Sequence, residues 1–177
     1  MSDQRPDRAE LVNLTDRSFL PFLINPQTIE ERLEVNYKRQ PPIGLSHERL
    51  QYKNTGNTTY PIELYMDQHM IDRFMPDPIN QPDVLQRKNW LKSLCYPVSD
   101  QDYSRIGPTR VLFNWPNTFR VVGRITGQVT FLHREFNYQN LKTRVLVANF
   151  TIEEDLDSRV LMNDVVINGS LSIGVRL

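Results

Sequence analysis

Two runs of alternating residues, Arg124 to His133 and Arg144 to Ile152, restrict the fold more than any other part of this chain. In the first, Ile125, Val129 and Phe131 fall on one face and Arg124, Thr126, Gln128 and Thr130 on the other, the period of two of a half-buried strand. In the second, Leu146, Ala148, Phe150 and Ile152 share a face opposite Val145, Val147, Asn149 and Thr151, so its two faces differ less. The polar stretch Glu135 to Lys142 between them is too long for a two-residue turn and reads as a protruding hairpin loop. Upstream, Val111 to Val122 reads as two short strands broken at Trp115-Pro116-Asn117, since proline cannot continue a central strand. Val111 to Glu154 is therefore a β-meander, and the remainder is expected to decorate it.

Ahead of the meander, Met1 to Thr15 is polar with few anchors and reads as a flexible tail or an arm that orders on a partner. Ser18 to Pro26 is an apolar run cut by Pro21 and stopped by Asn25-Pro26, which suits an edge strand. Leu33, Val35 and Tyr37 alternate with polar residues and predict a strand, Pro41 to Ser46 a loop, and Glu48 to Lys53 a short strand. Asn54-Thr55-Gly56-Asn57 supplies turn residues before Tyr60, Ile62, Leu64 and Met66 alternate, which predicts a second hairpin across that turn. Met70 to Met75 suggests a helical turn. Pro82 and Asp83 start a helix whose apolar stripe is Val84, Leu85, Leu91, Leu94 and Cys95, ended by Pro97. Beyond the meander, Asn168-Gly169 between short apolar runs is a local hairpin signal.

At 177 residues the chain suits one domain with a core of its own. The expected fold class is mainly β (α+β): a single β-barrel or sandwich-like domain over residues 18–154 with one helix, an arm over 1–17 and a tail or arm over 155–177. Formal net charge is zero, so no global basic field draws in nucleic acid and no acidic one draws in cations. The hydrophobic content of 39% is low for a compact monomer, while 10% aromatic residues is too rich for a disordered chain; both suit a protein that completes its burial through neighbours. A single cysteine excludes an internal disulfide framework. The charged N-terminus shows no secretory signal and no apolar run approaches a membrane span, so a soluble protein made in the cytosol is expected.

Signals for chemistry are sparse. His47, His69 and His133 are far apart with no metal-ligand spacing, and Cys95 sits on the helical stripe, where cysteine acts as a small hydrophobe. The run Glu153-Glu154-Asp155-Leu156-Asp157 offers carboxylates for a cation or for hydrolysis, but no glycine-containing calcium loop surrounds it and a solvated strand end accounts for it as well. No catalytic residue, cofactor or metal site is assigned. Arg105, Arg110, Arg120 and Arg124 interleave with Phe113, Trp115 and Phe119, a mixture that suits single-stranded nucleic acid by stacking or a protein interface. Zero net charge favours the interface.

Two ordered signatures resemble a known family. The first runs from Phe22-Leu23-Ile24-Asn25-Pro26 through a Tyr37-centred segment, Pro42-Ile43-Gly44-Leu45-Ser46 and Leu50-Gln51-Tyr52 to Asn57 through Asp67. The second runs from Pro108 through Trp115, then Val121 to Phe131, Leu141 to Val147 and Phe150 to Glu154. Together they are similar to the baseplate hub and tube-adaptor proteins of bacteriophage tails and related contractile injection systems, of the LysM-type baseplate family. Many of those proteins continue into a C-terminal LysM domain. This chain is expected to lack it, which removes direct cell-wall binding from what the resemblance implies.

The resemblance implies a structural protein, not an enzyme, in a virion tail baseplate: a sixfold, self-associating ring joining the tail tube and central spike or hub to the wedge and sheath, made in the host cytoplasm, with no membrane and no direct nucleic-acid partner. Phe113, Trp115, Phe119 and Arg124 are then expected near an interface, and Phe136, Tyr138 and Leu141 on a protruding contact loop. The other function class kept in view is a β-barrel module that binds single-stranded nucleic acid or a small ligand.

Overall fold

The computed structural model describes residues 8–40, 48–74, 83–97, 107–138 and 140–155. In chain order the elements are strands β1 (Glu10–Asn13), β2 (Phe19–Pro21), β3 (Val35–Gln40), β4 (Arg49–Thr55) and β5 (Thr59–Asp67), helices α1 (Gln68–Phe74) and α2 (Val84–Ser93), and strands β6 (Val111–Trp115), β7 (Phe119–Phe136) and β8 (Thr143–Glu154). Six strands form one sheet in the order β2-β1-β6-β7-β8-β5, and β3 with β4 forms a separate ribbon. The protein is thus mainly β with two helices. Among the described residues the large sheet is open and no barrel closes.

The meander is present as its alternation implies. β6, β7 and β8 are consecutive antiparallel neighbours, with Trp115 opposite Phe119 across the turn at Pro116-Asn117-Thr118. Ile125 on β7 and Leu146, Ala148, Phe150 and Ile152 on β8 are buried in the core, and Val129 and Phe131 pack against it. Val145 and Val147 on the other face of β8 are also buried. A strand apolar on both faces belongs inside a sheet, and β8 lies between β7 and β5.

The expected hairpin between β4 and β5 does not form. β5 pairs with β8 from Thr59↔Glu153 to Asp67↔Val145, whereas β4 pairs with β3. Burial explains the choice. Tyr60, Ile62, Leu64 and Met66 must be covered on one face, and only β8 offers a matching row of buried apolar residues, while β4 is exposed along its length.

Two glycines shape the long β7. Thr126 pairs with Thr151 and Thr130 with Asn149, so Gly127, Gln128 and Val129 together oppose Phe150 alone. Gly127 takes φ +68° in this bulge, a conformation that costs an L side chain free energy. The bulge adds two residues, an even number, so Ile125, Val129 and Phe131 keep the same face. Gly123 answers a different demand: a Cβ there would land on the Glu153 carbonyl oxygen of β8 and crowd Ile152.

The sequence signals for α2 hold with a shift at its start. Asp83 is the N-cap; it accepts from Gln86 N–H at 2.7 Å, while Gln86 Oε1 accepts from Asp83 N–H at 3.0 Å, a reciprocal capping box. Pro82 lies outside the described residues. Val84, Arg87, Leu91 and Leu94 are buried along one stripe. Arg87 Nη1 donates to the Pro21 carbonyl at 3.2 Å and Trp90 Nε1 to Ser18 Oγ at 2.9 Å, so the helix clamps both ends of the short edge strand β2. The segment read as a helical turn is the second helix, α1, which sends Ile71 into the core.

The N-terminal arm is shorter than expected. Glu10–Asn13 is β1, an interior strand paired with β2 and β6, and Ala9 and Leu11 are buried. Four residues flanked by charges carry too little periodicity to announce a strand; long-range pairing with Val111 to Asn114 makes it one. The Pro41 to Ser46 loop, the Asn168-Gly169 hairpin and the tail beyond Asp155 lie outside the described residues.

Gly123→Ala is expected to destabilise the fold by about 3 kcal/mol, as overpacking against a backbone does, and Gly127→Ala, where only the backbone is strained, by about 1 kcal/mol. Urea denaturation of both variants reads the difference. Tyr60 is buried and donates its hydroxyl to Glu31 at 3.2 Å. Burial first, then the Glu154 and Glu31 carboxylates, raise its phenol pKa. Because the folded-state value lies above the unfolded one of about 10, Tyr60's contribution is complete below that pH and declines as the pH rises further. Thermal melts from pH 8 to 11 should show a smaller alkaline loss in Tyr60→Phe than in the parent.

Candidate contact surfaces

The residues singled out in the sequence divide into two groups. Phe113 is fully buried: its ring meets Phe22 at 5.5 Å and 78° and Phe119 at 6.0 Å, and Phe119 meets Tyr60 at 5.2 Å. Such edge-on pairs add about 0.5–1.5 kcal/mol each beyond burial. Trp115 and Phe119 are partly buried against the same core. These aromatics therefore hold the sheet together and do not form an exposed stacking platform for nucleic acid.

Arg124 has a defined task. Its Nε donates to Asp155 Oδ2 at 2.9 Å and its Nη1 to the Pro108 carbonyl, while Arg110 approaches the same Asp155 oxygen at 3.4 Å and donates from Nη2 to the Asp155 carbonyl at 3.0 Å. Two guanidinium groups thus fix the end of β8 against the lead into β6. The acidic run consequently meets protein donors: Glu153 also accepts from Asn57 Nδ2 at 3.0 Å. Among the described residues no three His, Cys, Asp or Glu side chains gather as metal ligands. His133 faces Thr143 Oγ1 at 2.7 Å and Lys88 at 3.4 Å, and burial raises the Cys95 thiol pKa, against thiolate chemistry.

Phe136, Tyr138 and Leu141 form the second group. They stand at and beyond the end of the β7–β8 hairpin, all exposed, Tyr138 at 98%. Leu141 takes φ +55° and donates its N–H to Asn137 O at 2.7 Å, and Asn137 N–H donates to Lys142 O at 2.9 Å, so the loop is closed by its own backbone. Between this loop and the starts of α1 and α2 lies a groove of about 800 Å³, walled by Phe136, Tyr138, Val84 and Leu85 and carrying Asp72, Asp83 and Glu135.

A further surface carries no residue singled out in the sequence. On the β3–β4 ribbon Tyr37 pairs with Tyr52 and Arg39 with Leu50. The two tyrosine rings meet edge-on at 6.0 Å, so they share a face, and Val35, two residues before Tyr37, joins it. Leu33, Val35, Tyr37, Leu50 and Tyr52 are between 46% and 63% exposed. The signal was present: both strands alternate apolar with polar or basic residues. What local pattern could not show is that the apolar face finds no cover within the chain's described core.

Phe113→Ala is expected to cost about 3–5 kcal/mol through the cavity it opens, and Tyr138→Ser to stay within about 0.5 kcal/mol of the parent. Denaturant midpoints of the two variants separate core from contact surface.

A family model described as contractile injection system tube protein matches residues 5–143, well over half of the chain. No curated protein matches it. The matched span includes β1 to β7, so it embraces the ribbon, both helices and most of the sheet. A structural role in the tail, in association with other tail components, follows from that match. The chain belongs to the contractile injection system tube protein family.

Proposed function

We propose that the protein is a baseplate component of a phage-type tail: a sixfold ring that joins the tail tube and the central spike or hub to the surrounding wedge and sheath, in the manner of the LysM-type hub and tube-adaptor proteins whose signatures it shares. The observation that carries this reading is the exposure of apolar side chains on two projecting elements, the β3–β4 ribbon and the β7–β8 loop, in a family of assembly proteins. Exposed apolar patches of this kind mark protein interaction sites. Phe136, Tyr138 and Leu141 contact neighbouring tail proteins, while Phe113, Trp115 and Phe119 hold the core beneath. The reading assigns no catalysis, cofactor or nucleic-acid contact to the chain, and places it in the virion after synthesis in the host cytoplasm.

Cryo-electron microscopy of intact particles tests the placement. The expected result is density for this chain in one sixfold ring around the tube beside the spike. Density repeating along the whole shaft, or none in the particle, would overturn the baseplate assignment.

A further inference from the structure

The ribbon and the hairpin loop lie at opposite ends of the sheet. β5 begins at Thr59, which exchanges backbone hydrogen bonds with Arg32 at the root of the ribbon, and ends at Asp67 opposite Val145, beside the β7–β8 loop. Nine residues of strand separate the two elements, about 30 Å at 3.3 Å per residue. A chain that exposes one apolar element at each end of a rigid sheet has the makings of a head-to-tail contact between copies.

The two surfaces are also complementary in chemistry. The strands of the ribbon contain Lys38, Arg39, Arg49 and Lys53 and no carboxylate; Glu48, just before β4, approaches Arg39 at 3.7 Å. The groove beside the loop sets Asp72, Asp83 and Glu135 against Lys142 and Arg144, with Phe136, Tyr138, Val84 and Leu85 as apolar wall. Arg144 approaches Glu135 at 3.7 Å, which leaves Asp72 and Asp83 for incoming cations, although Asp72 also accepts from Gln68 and Asp83 caps α2. A volume of about 800 Å³ accommodates several side chains of a ribbon face.

Building on the self-associating ring, we propose that the apolar face of the ribbon, Val35, Tyr37, Leu50 and Tyr52, seats in this groove on a second copy of the chain. The contact is heterologous: each copy gives its ribbon at one end and receives another at the other. It covers the two most exposed apolar elements in one step, and the bulge at Asn36/Tyr37, where Lys53 is the extra residue, twists the ribbon for that fit.

The test uses two full-length chains in a Cys95→Ser background, one carrying Tyr52→Cys on the ribbon and one carrying Tyr138→Cys on the loop; both positions are exposed, so neither change disturbs the core. Mixed and oxidised, they should form the mixed disulfide dimer roughly a hundred-fold faster than Tyr52→Cys paired with Lys92→Cys on α2, because docking raises the effective concentration. Equal rates, or a chain that stays monomeric at its highest soluble concentration, would overturn the docking. A sixfold ring in particles without this cross-link defeats the ribbon contact alone. The cross-link without such a ring defeats the baseplate placement alone.

Discussion

The pairing of β8 with β7 on one side and β5 on the other is the constraint on which the rest of the structure depends. Its two neighbours come from opposite directions in sequence, β7 across a local loop and β5 from some eighty residues upstream. Local closure is cheap, whereas the long connection carries a loop entropy that grows only with the logarithm of its length. Burial of Tyr60, Ile62, Leu64 and Met66 over the same core as Leu146, Ala148, Phe150 and Ile152 offsets that cost. Once β5 is set, α1 follows it directly and brings Ile71 onto the core. α2 then arrives above β2 with Arg87 and Trp90 reaching Pro21 and Ser18.

The same logic explains which parts of the fold were legible in the sequence. Where an element's partner is its neighbour in the chain, pattern and structure agree: the meander, the turn at Trp115-Pro116-Asn117, the stripe of α2 and the proline-limited edge strand all follow from residues within one or two turns or strands. Where the partner is remote, pattern is silent. Glu10–Asn13 has one inward apolar residue on the strand, Leu11, and becomes a strand because Val111 to Asn114 lies beside it. The alternation of β5 identified the strand correctly, but turn residues at Asn54 to Asn57 suggested the wrong neighbour, since a turn fixes proximity of two segments and not their hydrogen bonding.

The candidate contacts show a parallel division. Phe113 alternates with Leu112 and Asn114 and shares a face with Val111 and Trp115, the mark of a core-facing strand position, so its aromatic character and the arginines around it say little about an interface. Tyr138 and Leu141, in a polar loop with no strand period, have no inward direction to take, and the loop leaves them exposed. Alternation decides burial only when a covering layer exists, and this condition separates β5 from β3 and β4. All three alternate, yet only β5 lies against another sheet strand and helices; the ribbon's apolar face is left open.

An isolated two-stranded ribbon is marginal in water, because it fixes backbone on both strands while covering little apolar area. Here the root is held by the Arg32–Thr59 bridge and by Gly56 N–H on Glu34 O, and the Tyr37–Tyr52 pair stiffens the middle. Those contacts preset the shape, which lowers the ordering entropy paid on association. A preset apolar ribbon exposes the chain to indiscriminate pairing before assembly, and the basic residues along both strands oppose it, since two ribbons of like charge repel. Self-repulsion of ribbon against ribbon leaves a differently charged surface as the favourable partner, and a heterologous contact of that kind closes into a ring only when the rotation between copies divides a full turn. The angle at which the sheet carries its ribbon relative to its loop therefore decides between a closed ring and an open filament, so the rigid β5–β8 pairing that organises the fold also sets the geometry of assembly.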